Sequence, residues 1–127
     1  DKALDRRVAC LQGRVRLGQP IGDFQLIQDK LARMEVARLN VENMVFRYIE
    51  TSRDGVALTL AEASAMKLYS ARSAMEVALE AVQIFGGSGY MSEFQVEQIA
   101  RDAKVLQIYA GTDELQITHI AKDLLRR

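Results

Sequence analysis

Residues 56–85 read VALTLAEASAMKLYSARSAMEVALEAVQIF, a long run that contains neither proline nor glycine. Alanines are interspersed with larger apolar side chains along the whole run, so apolar residues fall on nearly every face of a helix. A helix that is apolar all round is packed on several sides, and small alanines allow neighbouring helices to approach closely. The run therefore predicts the central helix of a helical domain.

A second long helix is predicted immediately before it, over residues 23–52. Its apolar positions recur at steps of three and four, the spacing of one helix face: Phe24, Ile27, Leu31, Met34, Val41, Val45 and Tyr48. Arg38 is the one break in this stripe. Asp23 is the candidate N-cap, and Asp54-Gly55 predicts the turn that ends the helix.

The chain opens in a pattern that is already helical. Leu4, Val8, Leu11 and Val15 recur at helical spacing, and the helix is predicted to end near Leu17-Gly18. A helix under way at Asp1 predicts that residues 1–127 belong to a longer polypeptide. A trimmed native terminus is the alternative.

Two shorter helices are predicted after the central run. Paired glycines in 86–89 supply the left-handed backbone that follows a helix C-terminus, and a helix over 92–106 comes next. Thr112 is the candidate N-cap of the last helix. Acids in its first turn and bases near its end suit the helix dipole: Asp113, Glu114, Lys122, Arg126 and Arg127.

Composition predicts an all-α domain. Pro20 is the only proline, Trp is absent, and β-branched residues do not alternate with polar ones, so no strand is expected. Long helices joined by short turns form an antiparallel up-down bundle. A domain cut from a longer chain would expose apolar surface, so a partner is also expected.

Charge and side-chain chemistry exclude several classes of function. Lys+Arg 17 balances Asp+Glu 17, which gives no electrostatic basis for binding nucleic acid or an anionic membrane. No apolar run approaches the roughly 18 residues of a membrane span. Cys10 is alone, which favours a reducing, cytoplasmic compartment. His119 is the single histidine, so no metal site is predicted.

General motif rules leave the Gly86–Tyr90 segment ambiguous. A dinucleotide fingerprint would need glycine at Ser92 and a strand before the loop, and a nucleophile elbow would need glycine at Tyr90. The local physics favours a helix C-cap, with an anion on exposed N–H groups as the alternative. His119 is interpreted as structural or superficial, and Arg101 with Asp102 as an ion pair between helices.

Two longer stretches resemble a known family. RVRLGQPIGDFQLIQDKLA (14–32) has an arginine, a short gap, the pair Leu17-Gly18 and then FQ. AVQIFGGSGYMSEFQVEQIARDAKVLQIYAGTDELQ (81–116) matches the pattern QxFGGxGY…RDAK…IYxGTxExQ. Both resemble the C-terminal helical domain of acyl-CoA dehydrogenases. Leu17 departs from that family's usual phenylalanine, which weakens any stacking role there.

The resemblance implies FAD as cofactor, shared between subunits. By position, Arg14 would contact the FAD pyrophosphate of a neighbouring subunit, and Gln25 its adenosine part. Further contacts are implied along the second stretch, at Gln83, Ile84, Phe85, Gly86 and Gly87 across the subunit interface and at Thr112, Asp113 and Glu114 on the other side. Ala110 and Gly111 would border the acyl-CoA thioester.

The catalytic base is where this sequence departs from the family. Most members carry a glutamate immediately before the GT pair, and here that position is Ala110, which cannot accept a proton. The isovaleryl-CoA and long-chain members carry the base instead ahead of the arginine motif, which here would place it before Asp1. A relative with lost or changed chemistry, such as a flavin-binding or nitroalkane-oxidising protein, is the alternative. No catalytic residue is therefore predicted within the chain.

The function implied is oxidation of an acyl-CoA to the trans-2-enoyl-CoA by a homotetramer or homodimer. Electrons would pass to an acceptor such as an electron-transfer flavoprotein, in the cytoplasm or, in a eukaryote, in the mitochondrial matrix. A helical oligomerisation module without cofactor is the rival from another class. The Gln-containing glycine loop at 83–87 argues against it, because packing alone needs no such polar loop.

Overall fold

A computed structural model describes residues 13–126. The expected helical positions Leu4, Val8 and Leu11 lie outside the described residues. The chain divides into two compact units, the first extending to Val36 and the second beginning at Ala37. No helix of the described part is long and apolar enough to cross a membrane.

The described part of the first unit contains a small β-hairpin. Strands β1 (Val15–Arg16) and β2 (Gln19–Pro20) pair antiparallel, with Val15 opposite Pro20. The connecting residues Leu17 (φ 50°) and Gly18 (φ 82°) both have positive φ, as a type I′ turn requires. The predicted helix end near Leu17-Gly18 is therefore wrong, as is the expectation of no strand for these four residues. Leucine rarely adopts this conformation, so the sequence did not signal the turn.

A 3-10 turn links the hairpin to the first long helix. It covers Ile21–Asp23, so Asp23 lies inside the turn and is not the helix N-cap. The carbonyl of Phe24 instead accepts from the backbone N–H of Ile27 and of Gln28.

Helix α1, Gln25–Arg53, confirms the second predicted helix with nearly the same bounds. None of its residues, all of which the structure describes, is buried. In the second unit, two polar contacts join α1 to the next helix: Asn40 Nδ2 donates to Tyr69 Oη at 2.9 Å, and Arg47 pairs with Glu62 at 3.2 Å. Of the predicted apolar stripe, Val45 and Tyr48 are exposed and the other positions are half-buried. Further apolar side chains of α1 are exposed beside the stripe, as on an interaction surface: Leu26, Val36, Leu39, Phe46 and Ile49.

Helix α2, Leu60–Phe85, is the central helix of the second unit. Its buried positions are mostly small side chains, as the alanine pattern predicted: Ser64, Ala71, Ser73, Ala78, Ala81 and Ile84. Residues 56–59 are not helical, so the predicted start at 56 is wrong. Thr59 forms a capping box with Glu62, in which each side chain accepts from the backbone N–H of the other residue.

Helices α3, Val96–Val105, and α4, Asp113–Leu124, both pack against α2. The predicted start of α3 at 92 is wrong, because Ser92–Phe94 forms a 3-10 turn and Gln95 has a φ of 57°. Thr112 caps α4 as predicted, with Oγ1 accepting from Leu115 N at 3.4 Å. Between residues 24 and 85, all of them described, there is no strand, and the all-α class is confirmed.

Replacing Thr59 by alanine should lower the free energy of unfolding by about 1 kcal/mol, because the α2 N-terminus loses its capping side chain. Urea unfolding of the two proteins measures the difference. Thr118→Ala is the matched control, since Thr118 Oγ1 only donates to the Glu114 carbonyl in the same helix. That change should be neutral or stabilising, as alanine is the better helix former. Equal losses at both positions would exclude the capping box as the cause.

Candidate functional site

The glycine-rich end of α2 presents an open surface. Gly86, with φ 58°, ends the helix, and its N–H donates to the Gln83 carbonyl at 3.1 Å. Gly87–Tyr90 then forms one helical turn. A Cβ placed on Gly87 would meet no described atom within 4 Å, and the Gln83 side chain is exposed. A ligand can therefore approach both the Gln83 amide and the backbone at Gly86–Gly87.

Not every residue of the predicted 83–87 set faces outward. Ile84 is buried in the core of the second unit, and Phe85 is half-buried. The expected contacts of Gln83, Gly86 and Gly87 with a cofactor need no rearrangement. Those of Ile84 would be limited to its backbone.

Gly89 serves packing, not an approaching ligand. A Cβ there would lie 2.5 Å from the Val82 carbonyl oxygen and 2.8 Å from Phe85 Cβ. Both are atoms of α2 that cannot move without shifting its backbone. The absence of a side chain at Gly89 thus lets the turn fold back on the end of α2.

Gly89→Ala should therefore destabilise the protein by about 1–3 kcal/mol through overpacking. Gly87→Ala is the control, because its added methyl group meets open space. Thermal unfolding of the ligand-free proteins should show a lower Tm for the Gly89 variant and an unchanged Tm for the Gly87 variant. A loss of stability at Gly87 equal to that at Gly89 would contradict the packing explanation.

The second part of the site is the loop between α3 and α4. Ala110 (φ 51°) and Gly111 (φ 87°) are consecutive residues in the left-handed region, which is unfavourable for the alanine. The N–H of Asp113 donates to the Gln107 carbonyl at 3.1 Å and closes the loop. This geometry leaves the Ala110 side chain exposed and Gly111 half-buried.

Two side chains hold this loop by its carbonyl groups. Lys67 Nζ, from α2, donates to the Gly111 oxygen at 2.7 Å. Gln116 Nε2, from α4, donates to the same oxygen at 3.1 Å and to the Ala110 oxygen at 3.3 Å. The peptide planes on both sides of Gly111 are thereby oriented by helices that pack on each other.

The start of α4 is strongly acidic. Asp113 is 8% exposed, and its Oδ2 pairs with Arg72 Nε at 3.0 Å. Its buried Oδ1 has no hydrogen-bond partner in the described part of the chain. Glu114 is exposed, and its own backbone N–H and then the Thr112 hydroxyl lower the pKa of its carboxyl group. Glu114 is therefore ionised at neutral pH, next to the positive end of the helix dipole.

The remaining predicted cofactor residues lie in the first unit, on either side of the hairpin. The Arg14 carbonyl accepts from Ile21 N–H at 2.9 Å, so the hairpin returns the chain to Arg14. Gln25 follows shortly after as the exposed first residue of α1. The hairpin thus brings the Arg14 backbone next to Ile21, four residues before Gln25.

Other residues singled out in the sequence have structural roles. His119 Nδ1 lies 3.2 Å from the Oγ of Ser64, which is 2% exposed, in agreement with the structural interpretation. Arg101 pairs with Glu97 of its own helix, with Nε 2.8 Å from Oε2, so the interhelical pair with Asp102 is wrong. No group of metal-binding side chains occurs among residues 13–126.

Three polar residues around the α3–α4 loop were missed from the sequence: Lys67, Arg72 and Gln116. Gln116 lay within the quoted family pattern, so its place at the end of that pattern was a usable signal. Lys67 and Arg72 stand in an alanine-rich helix 44 and 41 residues before their partners. No local pattern marks them, because only the packing of α2 on α4 brings them to the loop.

Comparison with known proteins identifies relatives over nearly the whole chain. Residues 1–125 match the family model described as acyl-CoA dehydrogenase, C-terminal domain. An acyl-CoA dehydrogenase of Bacillus subtilis is 40% identical over 98% of this chain and 33% of its own length. A 3-(aryl)acrylate reductase of Clostridium sporogenes is 37% identical, with the same two coverages.

Solved structures give the same result. Butyryl-CoA dehydrogenase from Megasphaera elsdenii has a TM-score of 0.89 at 40% identity, covering 98% of this chain and 32% of that one. A structure described as the FAD complex of PigA has a TM-score of 0.88 at 25% identity, with the same coverage. The likeness confirms the predicted antiparallel helical bundle. This chain spans about a third of the length of these relatives, and it belongs to the acyl-CoA dehydrogenase C-terminal domain family.

Proposed function

We propose that residues 1–127 are the C-terminal helical domain of a longer FAD-dependent dehydrogenase that oxidises an acyl-CoA to its trans-2-enoyl-CoA. The observation that supports this most is the match of residues 1–125 to the family, at about a third of the relatives' length. The exposed apolar side chains of α1 are in keeping with it, since additional domains or subunits would cover them. The domain would supply cofactor contacts and a subunit interface.

The donor groups of the glycine-rich turn fit a flavin dinucleotide. Gln83 offers an exposed amide, which both donates and accepts, and the open space at Gly87 admits a ligand against the backbone. Arg14, from the first unit, would supply the fixed positive charge and planar donors that a pyrophosphate requires. When bound, FAD would accept the hydride that leaves the β-carbon of the substrate.

The start of α4 fits a different part of that cofactor. A capped helix N-terminus commonly holds a phosphate, but here it bears the ionised Glu114 and the Arg72-paired Asp113. The ionised Glu114 would repel a phosphate group, and the positive charge of Arg72 already compensates Asp113. The residues Thr112–Glu114 therefore suit the hydroxyl groups of the cofactor, which can donate to carboxylates, and we assign the pyrophosphate to Arg14 alone.

The substrate would pass the α3–α4 loop with its thioester beside Ala110 and Gly111. Ala110 is exposed and has no acid–base group, so the α-proton must be removed by another residue. We place this base on polypeptide ahead of the arginine motif at Arg14, as in the isovaleryl-CoA and long-chain members. Electrons would leave through an acceptor such as an electron-transfer flavoprotein.

The proposal is tested on the full-length protein that contains this chain. It should be isolated with flavin absorption bands, and anaerobic addition of a suitable acyl-CoA from a panel of chain lengths should bleach them. Sedimentation should show a homodimer or homotetramer. A protein that assembles without flavin would favour the oligomerisation module, and a flavoprotein reduced by no acyl-CoA would favour the relative with changed chemistry.

The separate chain of residues 1–127 should hold little or no FAD after gel filtration and show no dehydrogenase activity. The relatives are about three times as long. We therefore expect most of the cofactor and substrate contacts to be made by polypeptide outside the matching region. Flavin absorbance per mole of protein, compared with that of the full-length enzyme, gives the measurement. Stoichiometric FAD on the separate chain would show that this domain alone forms the site.

A further inference from the structure

The loop at Ala110–Gly111 owes its shape to side chains from elsewhere in the second unit. Ala110 has a φ of 51°, which is unfavourable for a residue with a Cβ, and Gly111 follows it with a φ of 87°. Within the loop, the backbone contact that closes it is Asp113 N–H to the Gln107 carbonyl. The orientation of the two peptide planes around Gly111 therefore depends on the groups that bind their oxygens.

Those groups come from rigid elements. Lys67 is on α2 and Gln116 is on α4, two helices packed against each other. The Gln116 residue is 7% exposed, so its amide has little freedom to turn away. Together they place three hydrogen bonds on two adjacent carbonyl oxygens, at 2.7, 3.1 and 3.3 Å.

Lys67 binds a neutral carbonyl group although two carboxyl groups follow in the same segment. An ammonium group gains more from a carboxylate than from a neutral carbonyl, and the same loop leads into Asp113 and Glu114. Arg72 takes the Asp113 carboxylate, while Lys67 binds the Gly111 carbonyl. The Lys67 ammonium group thus orients the backbone at the position where the substrate is expected.

We infer that Lys67 and Gln116 are positioning residues for the acyl thioester, acting through the Ala110–Gly111 backbone. The inference rests on the proposed function, which places this loop beside the thioester. With both carbonyl oxygens bound by protein donors, the loop presents one fixed wall to the substrate. Loosening it would let the reacting carbon move relative to flavin and base, and a displacement of about 1 Å can cost roughly 100-fold in rate.

Two substitutions in the full-length, FAD-loaded enzyme test this. Lys67→Met keeps the length of the side chain without its charge. Gln116→Glu keeps the shape but places an acceptor against two carbonyl oxygens. Each should lower kcat with the best acyl-CoA by about 10- to 100-fold and leave the FAD content unchanged. Lys67→Arg, which keeps a donor, should recover part of the rate.

A second measurement separates positioning from general stability. Hydrogen exchange at the Asp113 amide, which closes the loop, should accelerate at least about tenfold in Lys67→Met and Gln116→Glu, while exchange within α2 stays unchanged. Lys122→Met and Gln98→Glu, both at exposed positions of α4 and α3, are the matched controls. They should alter neither exchange nor kcat.

The outcomes are distinguishable. Variants with normal kcat, or with a lower Tm but unchanged exchange at Asp113, would overturn the positioning role while leaving the proposed function intact. A wild-type enzyme that no acyl-CoA reduces would defeat the proposed function, and the assignment to the thioester with it. In that case faster Asp113 exchange would show only that the loop is held by these donors.

Discussion

Replacing Gly111 by alanine is expected to destabilise the protein by about 2–4 kcal/mol, from backbone strain at positive φ together with lost hydrogen bonds. The φ of 87° is unfavourable for any side chain, and the new Cβ would lie 2.6 Å from Gln116 Nε2. Gln116 is buried and would have to withdraw its amide from both carbonyl oxygens. The full-length variant should also lose acyl-CoA turnover, since the wall beside the thioester moves.

Gly55→Ala separates the two contributions. Gly55 also has a positive φ, 72°, but no described atom lies within 4 Å of its added Cβ. Backbone strain alone should lower the free energy of unfolding of that variant, by about 1–2 kcal/mol. Urea unfolding of both variants and of the wild type measures the difference. Equal losses at Gly111 and Gly55 would mean that the contact with Gln116 contributes nothing.

The long helices were predictable because their signals are local. The stripe of α1 and the alanine-rich run of α2 repeat at helical spacing over many residues, and the Thr112 cap lies beside the helix it caps. Helix ends were less accurate. Leu17 and Gln95 adopt positive φ without being glycine, so rules that find turns through glycine placed helix where a hairpin and a 3-10 turn occur.

The site was predictable only in part, and by a different route. Gln83–Gly87 and Ala110–Glu114 stay predictions, made through a family pattern because general motif rules left the glycine loop ambiguous. The side chains that shape the second segment were not found, because Lys67 and Gly111 are 44 residues apart. A contact over that separation is created by helix packing, which periodicity does not encode.

Loss of the catalytic base is expected to have the largest effect on turnover. In the full-length enzyme, changing the glutamate ahead of the arginine motif to glutamine should lower acyl-CoA turnover by about 10²–10⁴-fold, the contribution of a general base. FAD should remain bound, because only a proton acceptor is lost. Acyl-CoA-dependent reduction of an artificial electron acceptor measures the rate. Full activity in this variant would show that the base lies elsewhere.

Adding Ala110→Glu to that inactive variant should restore part of the turnover. The Ala110 side chain is exposed, so a longer one has space, and the strain at φ 51° already exists with alanine. Gln116 holds the Ala110 carbonyl at 3.3 Å and thereby fixes the direction of the new carboxylate. Recovery should stop at about 1–10% of the wild-type rate, because the substrate pocket was formed around a base in another place. Ala110→Gln in the same background is the matched control: it has the same size but cannot accept the proton, so equal recovery with glutamine would contradict a role for the carboxylate.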